Sequence, residues 1–248
     1  MKVVISDTKE ELGKLAGKAA ADLIRNSINL SGQANVILAT GTSQFDTLNE
    51  LIMQDIDWSK VTMFHLDEYI GMPDSHPASF RKYLKERFLD KVGPLKTSYL
   101  IDGTGDAQAQ INQLAELITK HPIDLALVGI GENGHLAFND PPADFQTEQP
   151  YLIVNLDEPC RLQQMGEGWF ASLEDVPLQA ISMSVRQIMK SKHIICSVPD
   201  MRKAQAVKDS LEMAVDPIYP ASILQQHPHC EYYLDKASAS LLSKPVNF

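Results

Sequence analysis

Cysteine is scarce: three in 248 residues, at positions 160, 196 and 230. An odd number without CxxC spacing builds no disulfide framework and reads as unpaired thiols of a reducing compartment. Long apolar runs are also missing. The opening MKVVISDTKEEL turns polar after five residues, and nothing approaches the ~18 apolar residues of a membrane span, so no signal peptide or anchor is expected and the cytoplasm is the expected location. Basic residues are outnumbered 22 to 32, giving a net charge of −10, and they are scattered; nothing offers the positive stripe that a nucleic acid requires. Of the seven histidines, His65 lies inside a strand, His76 precedes a proline, and His227 and His229 belong to a Pro-containing C-terminal turn, with no HExxH motif, so no metal is assigned. No Gly-Lys-Ser/Thr follows any glycine turn, which excludes a P-loop.

What remains is an ordinary globular composition, 44% hydrophobic and 22% charged, in a chain long enough to hold a core without crosslinks. Short β-branched runs alternate with amphipathic stretches: strands at 2–5, 35–39, 61–66, 99–101, 123–130, 151–156, 179–185, 194–198 and 231–234, and helices at 9–30, 45–53, 78–89, 107–120 and 201–213. This rhythm predicts an α/β fold, a doubly wound, mostly parallel open sheet of Rossmann-like type with helices on both faces. No repeat or Pro/Gly linker marks a boundary, so residues 1–248 are expected to form a single domain. Ligands of such sheets bind beyond the carboxyl ends of the strands, which directs attention to the loops there.

Four loops carry chemistry. Gly41-Thr42-Ser43 lies between a strand and a helix and suits either an anion site or an ordinary N-cap. Asp67-Glu68 ends another strand, and one carboxylate should face the ligand while the other caps or orients. Gly129-x-Gly131-x-x-Gly134 matches the dinucleotide fingerprint, but Pro141 and Pro142 leave no room for the full helix that fingerprint needs. His135 follows these glycines, with Asn133 before it; Asn139 lies at i+4 and Asp140 at i+5, within reach of the imidazole if the turn is irregular. Lys203 sits in a basic turn after the strand ending at 198, either solvated or sharing an anion with the turn at 41–43.

Together the segments ATGTS, FHLDEYIG, HPASFRKYL, DLALVGIGENGHLAFNDP, KAQAV and SILQQHP resemble the glucosamine-6-phosphate deaminase (isomerase) family, which is related to the 6-phosphogluconolactonases, over nearly the whole chain. The pairing of FxxDEYxG with GHxAFN(D/E)P points to the deaminase branch. The resemblance implies a deaminase/isomerase-like hydrolase that converts a 2-amino-2-deoxyhexose 6-phosphate to fructose 6-phosphate and ammonia without a cofactor. It assigns ring opening to His135, with Asn133 and Asp140 orienting it, proton transfer between C2 and C1 to Asp67, and the phosphate to Gly41, Thr42, Ser43 and Lys203.

Three positions depart from the family pattern. Asn133 stands where some members have Asp, Asp140 where Glu is usual, and the segment 166–170, with Glu167, lacks the usual phosphate-binding Arg, for which Arg161 or Arg202 are candidates. Residues 146–149 lack the basic groups that bind an N-acetylated activator in allosteric members, so that regulation is not expected. Galactosamine 6-phosphate as substrate, lactone hydrolysis, and a non-catalytic sugar-phosphate-binding regulator are the alternatives. A small-molecule partner is expected; self-association leaves no signature in one sequence.

Overall fold

A computed structural model describes residues 1–243. Seven strands make a wholly parallel sheet: β1 (Lys2–Ser6), β2 (Ala34–Leu38), β3 (Val61–His65), β5 (Thr97–Tyr99), β6 (Leu125–Val128), β9 (His193–Val198) and β10 (Cys230–Asp235). Their order is β1-β10-β9-β6-β2-β3-β5. A second, antiparallel sheet joins β4 (Asp67–Tyr69), β8 (Gln179–Met183) and β7 (Tyr151–Asn155), in that order. The helices are α1 (Lys9–Ser31), α2 (Phe45–Ile52), α3 (Phe80–Leu84), α4 (Ala107–Thr119), α5 (Glu158–Gly166), α6 (Val185–Met189) and α7 (Ala204–Glu212). A π turn, Lys85–Leu89, extends α3.

The two-faced burial of the main sheet can be followed residue by residue. In β2, Val36 and Leu38 enter one apolar cluster with Leu12, Ala16, Ala20 and Ile24 of α1 and Leu48 and Leu51 of α2. Ile37 enters the opposite cluster, with Ile111, Leu114 and Ile118 of α4 and Val207 and Leu211 of α7. Successive strand side chains point to opposite faces, so near-continuous apolar strands need cover on both sides, and here they have it.

The expected fold class therefore stands, with one difference. Tyr151–Asn155 and Gln179–Met183 leave the parallel array for the second sheet. Along β7 only Tyr151 is buried, Leu152 and Val154 are half-buried and Ile153 and Asn155 are exposed, as befits the edge strand of a small sheet. β4, too short to announce itself in sequence, follows β3 after one residue, Leu66, and carries the chain from the main sheet into the small one. Helices α5 and α6 were not anticipated from the sequence. Among the described residues no helix is long and apolar enough to cross a membrane.

The order of the main sheet fixes where a ligand can sit. From β2 the chain goes to β3 on one side, and β6 pairs with the other side of β2. That reversal makes a switch point, and loops leaving neighbouring strands there diverge and open a crevice. α2, which starts at the crevice, is braced against α1 with little clearance: a Cβ on Gly13 would strike the backbone and Cβ of Asp46. Gly13→Ala should gain about 1 kcal/mol of helix propensity yet lose about 1–3 kcal/mol to overpacking. Urea unfolding should therefore show net destabilisation; a variant more stable than the wild type would refute this account of the α1–α2 contact.

Candidate functional site

The turn after β2 is built to present a helix start to the crevice. Gly41 has φ of 92°, a left-handed conformation that disfavours any side chain. Its carbonyl accepts from the Tyr83 hydroxyl at 3.0 Å, and Tyr83 stacks on Phe45 at 5.7 Å. Thr42–Gln44 form a 3-10 turn that runs directly into α2. The buried Gln44 amide donates to the Ser197 carbonyl at 3.2 Å and lies 3.4 Å from that of Val128, tying this helix start to the ends of β9 and β6. The first N–H groups of such a turn have no helical partner and carry the positive end of the helix dipole.

Lys203 approaches the same turn from the loop after β9. It is only 4% exposed, and its ammonium makes no hydrogen bond or ion pair among the described residues. Burial pulls its pKa down, against the opposing fields of Glu167, Glu132 and Asp200. A buried ammonium with no partner is costly, so the place it faces favours an anion.

The two carboxylates at the end of β3 have separate fates. Glu68 turns inward and is fully buried, accepting from Ser79 Oγ (2.9 Å) and from the N–H groups of Tyr69 (3.0 Å), Phe80 (3.2 Å) and Arg81 (2.9 Å). It caps α3. Asp67 turns to the crevice and makes no hydrogen bond among the described residues. Burial, then the like charge of Glu68, pushes its pKa up to about 8.

No helix forms after the glycine loop. Residues 131–140 make tight turns closed by the Leu136–Asn139 bridge, so the expected i to i+4 geometry is absent. Asn139 points into the core, donating to the carbonyls of Leu136 (2.7 Å) and Met183 (2.8 Å). Asp140 reaches the imidazole instead. Its Oδ1 lies 3.1 Å from Nδ1 of His135, an ion-pair distance whose alignment falls short of a hydrogen bond. Asn133 donates to Asp140 at 3.0 Å while its own carbonyl accepts from the His135 N–H at 3.1 Å. The Asp157 N–H, at the start of α5, binds the other Asp140 oxygen at 3.0 Å. Burial alone would raise the Asp140 pKa, but the histidine and these donors outweigh it and hold it below the usual carboxylate value.

A Cβ on Gly131 would collide with the His135 ring, and one on Gly129 would press on Gln44 and Ser43. The glycines of the apparent dinucleotide fingerprint thus make room for side chains of the protein itself. By contrast His65, also at a strand end, is fully buried, accepts from the Ile101 N–H at 3.3 Å, and has its pKa depressed to about 3 by burial and then by Arg81. It belongs to the core.

Asp67, His135, Gly41, Ser43 and Lys203 line one cleft that is partly open to solvent. Asn133 and Asp140 stand behind the imidazole and do not line it. Thr42 lines an adjoining cavity with Arg87 and Arg202. Sequence reasoning missed Gln163 and Gln164 in the cleft wall, because the helix that carries them was not seen; Asp157 before Glu158-Pro159 is the N-cap signal that marks its start. Glu167, from the segment lacking the family's Arg, faces the cleft and is held by Gln163 Nε2 (2.9 Å) and Trp169 Nε1 (3.2 Å). Of the two candidate replacements, Arg161 is committed to the carbonyls of Leu173 and Val176, and Arg202 pairs with Asp200 and Glu132 beside the cleft.

Fold and cleft together define a doubly wound α/β protein that gathers a carboxylate, an imidazole and a buried ammonium at the switch point of its sheet. Residues 7–232 match the family described as glucosamine-6-phosphate isomerases/6-phosphogluconolactonase. Glucosamine-6-phosphate deaminases of Lactobacillus delbrueckii subsp. bulgaricus and Oenococcus oeni are each 36% identical over 245 residues, covering 98% of this chain and 100% of theirs. A monomeric glucosamine-6-phosphate deaminase of known structure superposes with a TM-score of 0.89 at 31% identity, covering 97% of this chain and 100% of that one. The 6-phosphogluconolactonase of Thermotoga maritima shares the fold, with a TM-score of 0.79 at 14% identity over 95% of this chain and 99% of its own. The chain belongs to the glucosamine-6-phosphate isomerase/6-phosphogluconolactonase family. Hydrolysis is the named activity of the lactonase neighbours alone.

The raised pKa of Asp67 has a consequence for stability. The folded protein holds this proton more tightly than the unfolded chain, whose carboxyl ionises near pH 3.8. The contribution is therefore complete below pH 3.8 and lost as pH rises through about 8. The stability of Asp67→Asn minus that of the wild type should grow with pH between 4 and 8, by at most ~1.4 kcal/mol per pH unit, and level off above. A difference that is flat in this window, measured by denaturant unfolding, would refute the raised pKa.

Proposed function

We propose that this chain is an aldose–ketose isomerase and deaminase that converts glucosamine 6-phosphate to fructose 6-phosphate and ammonia. The observation that carries this reading is the convergence of the Asp67 carboxylate and the His135 imidazole on one cleft bounded by the turn at 41–43 and by Lys203. In this reading the phosphate lies at the helix start, on Gly41, Ser43 and Lys203, with Thr42 at its outer edge. Binding energy from this remote group places the reacting carbons against the proton-transfer groups.

His135 opens the pyranose ring by moving a proton between O1 and O5. Its Nε2 makes no hydrogen bond among the described residues and is the nitrogen left to the cleft, while Asp140 and Asn133 fix the ring from behind. Asp67 then removes the C2 proton and returns it to C1, which leaves an imine at C2; water hydrolyses the imine, releasing ammonia and the ketose phosphate. A base with a pKa near the working pH is well suited to accept a proton and give it back, which an exposed carboxylate is not. The asparagine at 133 cannot stabilise an imidazolium by charge, so that role falls to Asp140. The same cleft would admit the galacto epimer, whose difference lies at a peripheral hydroxyl.

Ammonia release from glucosamine 6-phosphate and galactosamine 6-phosphate tests the reading. Asp67→Asn should lower kcat by ~10²–10⁴. Retained ammonia release in that variant, or hydrolysis of 6-phosphogluconolactone with no ammonia from either amino sugar, would overturn it. Because the base works only when ionised, kcat/KM should also rise with pH through about 8. A profile already flat above pH 5 would remove Asp67 from the role of base.

A further inference from the structure

Behind the imidazole the fold gathers a set of donors that the proposed reaction does not use in full. Nδ1 of His135 is buried with no hydrogen-bond partner. Asp140 Oδ1 lies 3.1 Å from it, and Sγ of Cys160, one turn into α5, completes a group whose ligand atoms all lie within 4.8 Å of one another. These residues are spread over 25 positions and two structural elements, so no sequence spacing discloses them. Cys160 is 1% exposed, and its backbone is fixed by Asp157, which accepts from the Cys160 N–H at 2.7 Å.

We infer that His135, Asp140 and Cys160 form a binding site for a divalent transition ion of the zinc class, and that occupancy switches the cleft off. Neutral imidazole, carboxylate and thiolate are the donors that borderline ions such as Zn²⁺ prefer, and oxygen-seeking Mg²⁺ and Ca²⁺ do not. Tetrahedral bonds of ~2.0–2.2 Å to N and O place those two donors ~3.4 Å apart, close to the separation already present. Tetrahedral bonding places a thiolate sulfur ~3.6 Å from the other two donors, so Cys160 Sγ, already within 4.8 Å of both, draws inward on binding. A water would fill the fourth position. Asp140 also borders an outer cavity with Asp144 and Asp157, which gives a hydrated cation an acidic route inward.

The protons balance simply. Cys160 gives up its thiol proton to solvent as the thiolate bonds to the metal, and no electron is transferred. Nδ1 takes the metal through its lone pair, which places the imidazole proton on Nε2. That nitrogen can then donate but no longer accept, so it cannot carry a proton both ways between O1 and O5. Binding is independent of the proposed reaction; only its effect on turnover rests on that reading.

The test uses the full-length protein after chelator treatment, with zinc chloride and cobalt chloride as probes and magnesium chloride as control. Calorimetry should show one equivalent of Zn²⁺ bound by the wild type and binding at least about tenfold weaker in Cys160→Ala. The cobalt-loaded wild type should show thiolate-to-metal charge-transfer absorption that Cys160→Ala and Cys160→Ser both lack. If ammonia release is active, Zn²⁺ should inhibit it reversibly in the wild type, with at least about tenfold less potency against the cysteine variants. Equal zinc affinity in wild type and variants, no charge-transfer band, or a response to Mg²⁺ matching that to Zn²⁺ would each overturn the site. Cys160→Ser preserves the side-chain volume, so a folding failure of the alanine variant leaves the test intact.

Discussion

The grip on Asp140 is the constraint around which the cleft is organised. One carboxylate is held by the side chain of Asn133, the backbone of Asp157 and the imidazole of His135, which ties the glycine loop, the start of α5 and the putting in place of a single ring into one unit. Gly131 has no side chain because that ring occupies the space. Asp140 reaches the ring because residues 131–140 turn tightly, closed by the Leu136–Asn139 bridge, instead of continuing as a helix. The asparagine serves both ends of the unit, accepting from the His135 backbone and donating to Asp140.

Beside that unit stand two groups that make no hydrogen bond or ion pair among the described residues, Asp67 and Lys203. Each is more than nine-tenths buried, and each is displaced toward its neutral form by burial. A structure selected only for stability would pair them or replace them by apolar residues. Their neighbours show the contrast: Glu68 receives three hydrogen bonds from α3 and its cap and a fourth from the Tyr69 N–H, and Gln44 knits α2 to two strand ends. Asp67 and Lys203 thus bring two unpaired charges-in-waiting to the cleft, where a sugar phosphate would meet them.

Glu167 sets the charge of one wall of the cleft. Its carboxylate, anchored by Gln163 and Trp169, acts on the same field as Lys203. Arg161, the replacement nearest in sequence, is bound up in carbonyl contacts that fold the segment at 172–176 onto α5. The positive charge available to an anion therefore comes from Lys203 and the helix start, with Arg202 on the far side.

Much of this was present in the residue order. Alternating strands and amphipathic helices determine a doubly wound sheet, because apolar strands such as β2 and β6 need cover on both faces and the connections between parallel strands must cross over. The strand-end positions of Asp67, His135 and the turn at 41–43 follow from the same pattern. Tertiary structure decided the rest. Which of two adjacent carboxylates turns inward depended on α3 needing a cap at Glu68; which acid reaches His135 depended on the loop after Gly134 refusing a helix; and β4, β7 and β8 left the main sheet through pairings between segments far apart in the chain, such as Asp67 with Ser182 and Tyr151 with Met183, which are invisible to local periodicity. Cys160 came to lie beside His135 only through the packing of α5. Local sequence encodes what a segment can become, whereas contacts between distant segments settle which of its polar groups remain unpaired, and those are the groups on which chemistry depends.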